Sequence, residues 1–228
     1  MASYFDTLTK EQKDNIHFII GRMKDKGLSN PFTQTGILSV VSKESSFVPK
    51  SENGYSKTSN ARIRQIFGSR VSKYNEEQLT KLKSDDVAFF NAVYGLPQFG
   101  QTSTEGHLYR GRGLNQLTFK KSYKELGEQI GVDLLNHPDK LNEMPVATDC
   151  LIQFFINAFR QAPKSKLALY NTTDINGFKS LIDGVGAVYH ANSGWGQSKA
   201  SIDADPTGGR KKAIERGEGF LRIVLSTK

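Results

Sequence analysis

Apolar residues recur at helical spacing through most of the chain, and polar caps and glycines cut them into segments. Thr9 followed by Gln12 makes a capping box ahead of a helix with Ile16, Ile19, Ile20 and Met23 on one face, ending near Gly27. Asn30-Pro31 opens a second helix, carrying Ile37, Leu38, Val40 and Val41. Ser59 begins a third with Ile63, Ile66 and Phe67, stopped by Gly68, and Ser84-Asp85-Asp86 caps a fourth with Phe89, Phe90, Val93 and Tyr94, closed at Gly95. Phe119, Tyr123, Leu126 and Ile130 form another stripe ending at Gly131. Pro145 starts the most apolar helix, through Cys150, Leu151, Phe154, Phe155 and Ala158. Asp174 is expected to cap a helix with Phe178, Leu181 and Ile182, and the last helix runs from about Gly209 towards Val224. Strict polar–apolar alternation never persists for six residues, so the fold is expected to be mainly α. The stretches 45–58, 95–118 and 190–209, rich in Gly and polar groups, read as loops, where binding and catalytic residues concentrate.

In the second helix Ile37, Val40, Val41 and Glu44 share one face, so a carboxyl continues an apolar stripe. Glu44 also falls at the helix C-terminus, whose negative dipole end disfavours a carboxylate. Both effects raise its pKa, as a general acid requires. A glutamate that merely turns outward to Lys43 or Lys50 is the plainer alternative. Glu52, eight residues on and past Pro49, is expected in a polar loop, solvated and ionised. Two carboxyls in opposite environments divide into acid and base.

Composition narrows the classes. A chain of 228 residues is long enough to bury a core and is read as one compact domain, with room for two lobes around a cleft. With Cys150 alone there is no internal disulfide, and no Cys/His cluster has metal-ligand spacing, so neither metal nor cofactor is expected. No apolar run reaches the length of a membrane span, and Met1-Ala-Ser-Tyr-Phe-Asp does not have the layout of a signal peptide. The net charge of +8 favours polyanionic partners without choosing among them.

The segment Tyr109-Arg-Gly-Arg-Gly-Leu-Asn-Gln-Leu-Thr118, then Tyr123 and Gly131-Val-Asp-Leu-Leu-Asn-His-Pro-Asp139, is far more specific. It resembles glycoside hydrolase family 19, the chitinases and phage endolysins, whose hallmark is a Tyr-x-Gly-Arg-Gly-x-x-Gln-Leu-Thr loop. Glu44-Ser-Ser-Phe with Glu52-Asn-Gly-Tyr55-Ser resembles the endolysin pattern Glu-Ser-Gly-x-Phe … Glu-Asn-Leu-x-Tyr-Ser, and His190-Ala-Asn192-Ser-Gly194 with Gly209-Arg-Lys-Lys resembles the family's closing motif.

The resemblance implies a lysozyme-like, two-lobed helical fold with a substrate cleft. It comprises an N-terminal helix at about 9–27 and a chitinase-like core at about 33–225, in a single catalytic domain with no separate wall-binding module. It also implies inverting hydrolysis of β-1,4 links between aminosugars, with Glu44 as general acid, Glu52 as the residue activating water and Thr118 holding that water. Gln116 and Asn192 match sugar-binding amides and Tyr109 the cleft aromatic. Tyr55 is a further substrate contact, and Arg112 matches the arginine placed behind the acidic residues. An inverting pair should stand about 6.5–9.5 Å apart. The stretch from Glu44 to Glu52 is one residue shorter than the endolysin spacing, which leaves Glu105 open as the second acid. Ser122 replaces a family asparagine. Apart from the resemblance, Gly111 and Gly113 allow close approach of backbone to a ligand, and Gln116 and Thr118 fall on one side if the loop is extended there.

Three other readings compete. A lytic transglycosylase would also use Glu44, but its Gly-Leu-Met-Gln motif is Gly113-Leu-Asn-Gln here. A nucleic-acid binder would explain the charge, yet Arg110-Gly-Arg112-Gly is no Gly-Arg tract with interleaved aromatics, so no nucleic-acid partner is expected. Cys150 as a nucleophile conflicts with its place among Leu151, Phe154 and Phe155. The expectation is a monomeric phage endolysin acting on peptidoglycan glycan strands, its basic surface also meeting lipopolysaccharide. It would be made in the host cytoplasm and reach the wall after holin release.

Overall fold

The computed structural model describes residues 4–227. Among them are eleven α-helices: α1 (Lys10–Asp25), α2 (Pro31–Glu44), α3 (Asn60–Phe67), α4 (Glu76–Leu82), α5 (Asp86–Tyr94), α6 (Lys120–Ile130), α7 (Met144–Gln161), α8 (Lys164–Ala168), α9 (Leu181–Asn192), α10 (Lys199–Ala204) and α11 (Gly209–Ser226). The described residues contain no strand, only an isolated antiparallel bridge between Arg112 and Leu117. The fold is mainly α, as the periodicity predicts. The chain divides into two compact units, one made of the residues up to Val48 with those from Ala147 onward, the other of Pro49–Val146.

In the first unit α2 is the central element, packed on by α9 and α11. It is buried on every side, from Thr33 through Ser42, rather than along one stripe. Its two serines tolerate this by bonding within the helix, Ser39 Oγ donating to Thr35 O at 2.8 Å and Ser42 Oγ to Ser39 O at 2.7 Å, while the Thr33 hydroxyl donates to Ile175 O at 2.9 Å. The α2–α9 crossing is close because glycines meet there, a Cβ on Gly36 coming within 2.9 Å of the Gly184 carbonyl. The start of α1 has the predicted capping box between Thr9 and Gln12, and Asn30 caps α2 by accepting from the N–H groups of Phe32 and Thr33.

The second unit gathers Ile63, Phe67, Val71, Leu79, Phe89, Phe90 and Val93 into one core, with Tyr55, Tyr74, Leu82 and Tyr94 against it. It rests on α3, α5 and the unanticipated α4, whose capping box (Asn75 with Gln78) precedes a single buried apolar residue, Leu79.

Two expectations fail around α9. Asp174 caps no helix: its carboxylate accepts from Asn176 N–H at 3.1 Å and its carbonyl from the Thr172 hydroxyl at 2.6 Å, which closes a local turn ahead of Asn176-Gly177. Ser180 takes the capping role instead, accepting from Asp183 N–H, so Leu181 and Ile182 open α9. The 190–209 stretch is also not one loop, since α9 runs to Asn192 and α10 occupies Lys199–Ala204.

Candidate active site

Glu44 is the last residue of α2, as predicted, and half-buried. Burial raises its carboxyl above the ordinary glutamate range, with Lys43 opposing the shift. Among the described residues no hydrogen bond or ion pair engages this carboxyl. Just past it the chain reverses through two consecutive non-glycine residues in the left-handed region, Ser46 (φ 52°) and Phe47 (φ 66°). Amides of α1 hold this turn: Gln12 Nε2 donates to Ser46 O at 2.9 Å and Asn15 Nδ2 to Phe47 O at 2.8 Å. The Phe47 ring is fully buried, edge-on to Phe220 at 5.4 Å. Asn192 closes α9 and lines a pocket of about 250 Å³ with Lys43, Tyr189 and Asp205. Tyr189 went unnoticed in the sequence, although it lies three residues before Asn192, on the same helical face.

In the second unit Glu52 is more firmly held than a solvated loop carboxylate. Its Oε1 accepts from the Tyr55 hydroxyl at 2.8 Å and the Tyr94 hydroxyl at 3.1 Å, and its Oε2 from Gly111 N–H at 3.3 Å. The Glu52 N–H donates to Gly111 O at 2.7 Å. Burial, then the nearby carboxylate, pushes both phenols well above the usual tyrosine range, so both stay protonated donors. Tyr94 was predicted only as helix-face core; nothing in sequence linked it to Glu52, 42 residues earlier.

The 109–119 loop is a tight hairpin. Arg112 and Leu117 exchange backbone hydrogen bonds at 3.1 and 2.8 Å, Phe119 N–H donates to Tyr109 O, and Gly113 (φ 78°), Gln116 (φ 52°) and Phe119 (φ 77°) turn the chain. Gln116 is therefore not in extended backbone. It is linked to Thr118 by the Thr118 hydroxyl, which donates to the Gln116 carbonyl at 3.0 Å. Gln116 Nε2 also donates to the Lys50 carbonyl at 3.0 Å, which joins the hairpin to the segment leading into Glu52.

Other predicted contacts are committed elsewhere. Tyr109 is 5% exposed, its ring against Tyr123 and its hydroxyl on Leu135 O, so it offers no face to a sugar. Arg112, 2% exposed, bonds to Asp139 at 2.8 Å, Leu108 O and Tyr123 Oη. That makes it a support for the hairpin rather than a ligand contact. The Tyr55 ring packs on Phe67 and Phe89 while its hydroxyl serves Glu52. Glu105 pairs with Lys120 at 2.6 Å and accepts from Thr102 N–H, which holds its carboxyl below the usual range. Cys150 is buried, and burial lifts its thiol to about 12, far from nucleophilic at neutral pH.

Comparison with known proteins bears out the family resemblance. Residues 86–172 match the model of class I chitinases, glycoside hydrolase family 19. A basic endochitinase of Vitis vinifera is 39% identical over 62 residues, a stretch that covers 27% of this chain and 18% of that protein. The matched 86–172 segment contains Tyr94, Glu105 and the whole 109–119 hairpin. Glu44, Glu52 and Asn192 lie outside it.

Proposed function

We propose that this chain, a chitinase-like glycoside hydrolase by its family-19 segment, cleaves β-1,4 bonds of bacterial peptidoglycan as a phage endolysin of the lysozyme type. The observation that carries the reading is Glu44: a half-buried, unpaired carboxyl whose protonated form burial favours, at the end of a rigid central helix. A general acid needs that environment. In the proposed reaction Glu44 gives its proton to the leaving glycosidic oxygen as the bond to the anomeric carbon breaks. Water attacks that carbon from the opposite face while Glu52 takes its proton, and Thr118 orients the water. The product then has inverted configuration, and proton exchange with solvent resets both carboxyls.

Glu52 suits the base because its three donors fix its oxygens in place without neutralising its charge. Glu105 suits it less, since Lys120 occupies it. The Vitis vinifera relative, a basic endochitinase, points to chitin, whereas the net charge of +8 favours an anionic polymer, and on that ground we choose peptidoglycan.

Zymography on purified sacculi and on chitin oligomers, with Glu44→Gln and Glu52→Gln, tests the reading. Each variant is expected to lose about a thousandfold in rate, the usual size of one acid–base contribution. Products should carry reducing ends of inverted anomeric configuration. Lysis undiminished in Glu44→Gln would overturn the mechanism, and anhydro-sugar ends would identify a transglycosylase.

A further inference from the structure

We infer that a pocket lined by Lys43, Tyr189, Thr207, Lys212 and Arg216 is an anion subsite that receives a carboxylate carried by the glycan substrate. The inference rests on the glycan-hydrolase reading and deepens it by naming the feature of the substrate that is selected. The pocket, about 330 Å³, lies wholly within the first unit, between the end of α2 and the start of α11.

Its chemistry is one-sided. Three cationic side chains line it and no carboxylate does. Among the described residues, none of Lys43, Lys212 and Arg216 forms an ion pair. Arg216 is fixed without being neutralised: Nη1 donates to Ser42 Oγ at 3.1 Å and the guanidinium lies over the Tyr4 ring at 4.1 Å. Of the two carboxyls that act on Tyr189, Asp205 is used elsewhere, accepting from the backbone N–H groups of Arg210 and Lys211 at 3.0 and 2.8 Å, and Glu44 is the proposed acid. The N-terminus of α11 is thereby capped from within, so the pocket's attraction for anions comes from side chains. Tyr189 adds a phenol that burial lifts to about 12 and whose hydroxyl donates to Gly209 O at 3.0 Å. Like charges around one concavity repel, and a bound anion relieves that repulsion.

Position gives the pocket its meaning. Lys43 directly precedes Glu44, and Tyr189 is close enough to feel the Glu44 charge. A saccharide held at Glu44 would thus present its substituents to this pocket. Neutral N-acetylglucosamine polymers have no anion to place there. Peptidoglycan strands have two sources, the carboxylates of the attached peptide and, on sugars that bear no peptide, the lactyl carboxylate that the peptide would otherwise hold as an amide.

The test is direct binding, by calorimetry at fixed ionic strength, of a disaccharide-peptide from peptidoglycan and of the same molecule with its carboxylates amidated. Wild type should bind the free-carboxylate form about tenfold more tightly, and the Lys43→Gln/Lys212→Gln double variant should lose that preference. Both lysines are exposed, so the fold should survive, and unchanged circular dichroism checks this. Equal affinity of wild type for the two forms, or a preference that persists in the double variant, would overturn the subsite. A third ligand, the disaccharide freed of peptide, separates the sources, because its lactyl carboxylate is free only once the peptide is gone: binding that the double variant weakens extends the subsite to the lactyl carboxylate, and binding it leaves unchanged confines the subsite to peptide carboxylates. Cleavage of sacculi is scored separately. Preference without cleavage would overturn the hydrolase reading alone, and cleavage without preference the subsite alone.

Discussion

Glu52 and Gly111 are joined twice, by the Glu52 N–H donating to the Gly111 carbonyl at 2.7 Å and by the Gly111 N–H donating to Glu52 Oε2 at 3.3 Å. The glycine is needed for space: a Cβ there would stand 3.0 Å from Gln116 Oε1 and 3.3 Å from Glu52 Oε2. Gly111→Ala should therefore displace both side chains by a few tenths of an ångström. The expected result is a loss of about tenfold or more in kcat with less than about 1 kcal/mol lost in stability, because small misplacements at a reacting group are costly. Steady-state kinetics beside urea unfolding check this, and an equal loss in both would show a merely structural glycine.

Tyr55 and Tyr94 share one acceptor, Glu52 Oε1. Replacing either by Phe keeps the ring in the aromatic core and removes one hydrogen bond, a cost of about 1 kcal/mol. Because the second phenol can shift to cover for the first, the double variant should lose more activity than the two single losses combined. A double-mutant cycle on kcat measures that coupling.

Glu44 makes stability and activity depend on pH in a defined direction. Its folded-state carboxyl is raised by burial, so the folded protein binds more protons than the unfolded chain between the two pKa values. Stability from this group is complete below the ordinary glutamate value, about 4.3, and is lost as pH rises through the higher folded value. Glu44→Gln should accordingly be more stable than wild type at pH 7, with the gain vanishing towards about pH 4. Thermal unfolding across that range reads it, and a gain that grows on acidification would contradict it. In wild type the same proton sets the alkaline limb of kcat/KM, which should lie above the ordinary glutamate value.

The endolysin pattern has glycine at the second position after the glutamate, where this chain has Ser46 with φ 52°. The reversal thus requires a left-handed residue directly after the proposed acid, and serine occupies it under strain. Ser46→Gly should stabilise the protein by up to about 1 kcal/mol, the relief of strain exceeding the added unfolded-state entropy. Removing the clamp with Asn15→Ala should cost about 1 kcal/mol and also lower activity. Denaturant midpoints at unchanged m-value give both numbers.

Arg112 distinguishes support from recognition. Its guanidinium is buried and bonded to Asp139, Leu108 and Tyr123, so Arg112→Ala should cost about 1–3 kcal/mol, chiefly through the lost bonds to Leu108 O and Tyr123, since Asp139 is exposed and water can replace its partner. KM for soluble oligosaccharides, measured well below the melting temperature, should change little. A variant of native stability with a greatly raised KM would restore Arg112 as a substrate contact.

By itself the sequence determined where most helices start and stop, because caps such as Thr9–Gln12, Asn30 and Asp85 and terminators such as Gly68 act within a few residues. It also marked the 109–118 loop and, through local position alone, Glu44. Asp174 misled because an aspartate that accepts from the N–H two residues on, within its own turn, has the same local signature as a helix cap. Burial all round α2, the convergence of Tyr94 and Gly111 on Glu52, and the gathering of Lys43, Lys212 and Arg216 about one pocket were decided only by tertiary structure. Each joins residues dozens to well over a hundred positions apart, and no local pattern records a contact of that range. The same packing withdrew Tyr109 and Arg112 from the surface, since whether an aromatic or an arginine meets a ligand depends on what covers it.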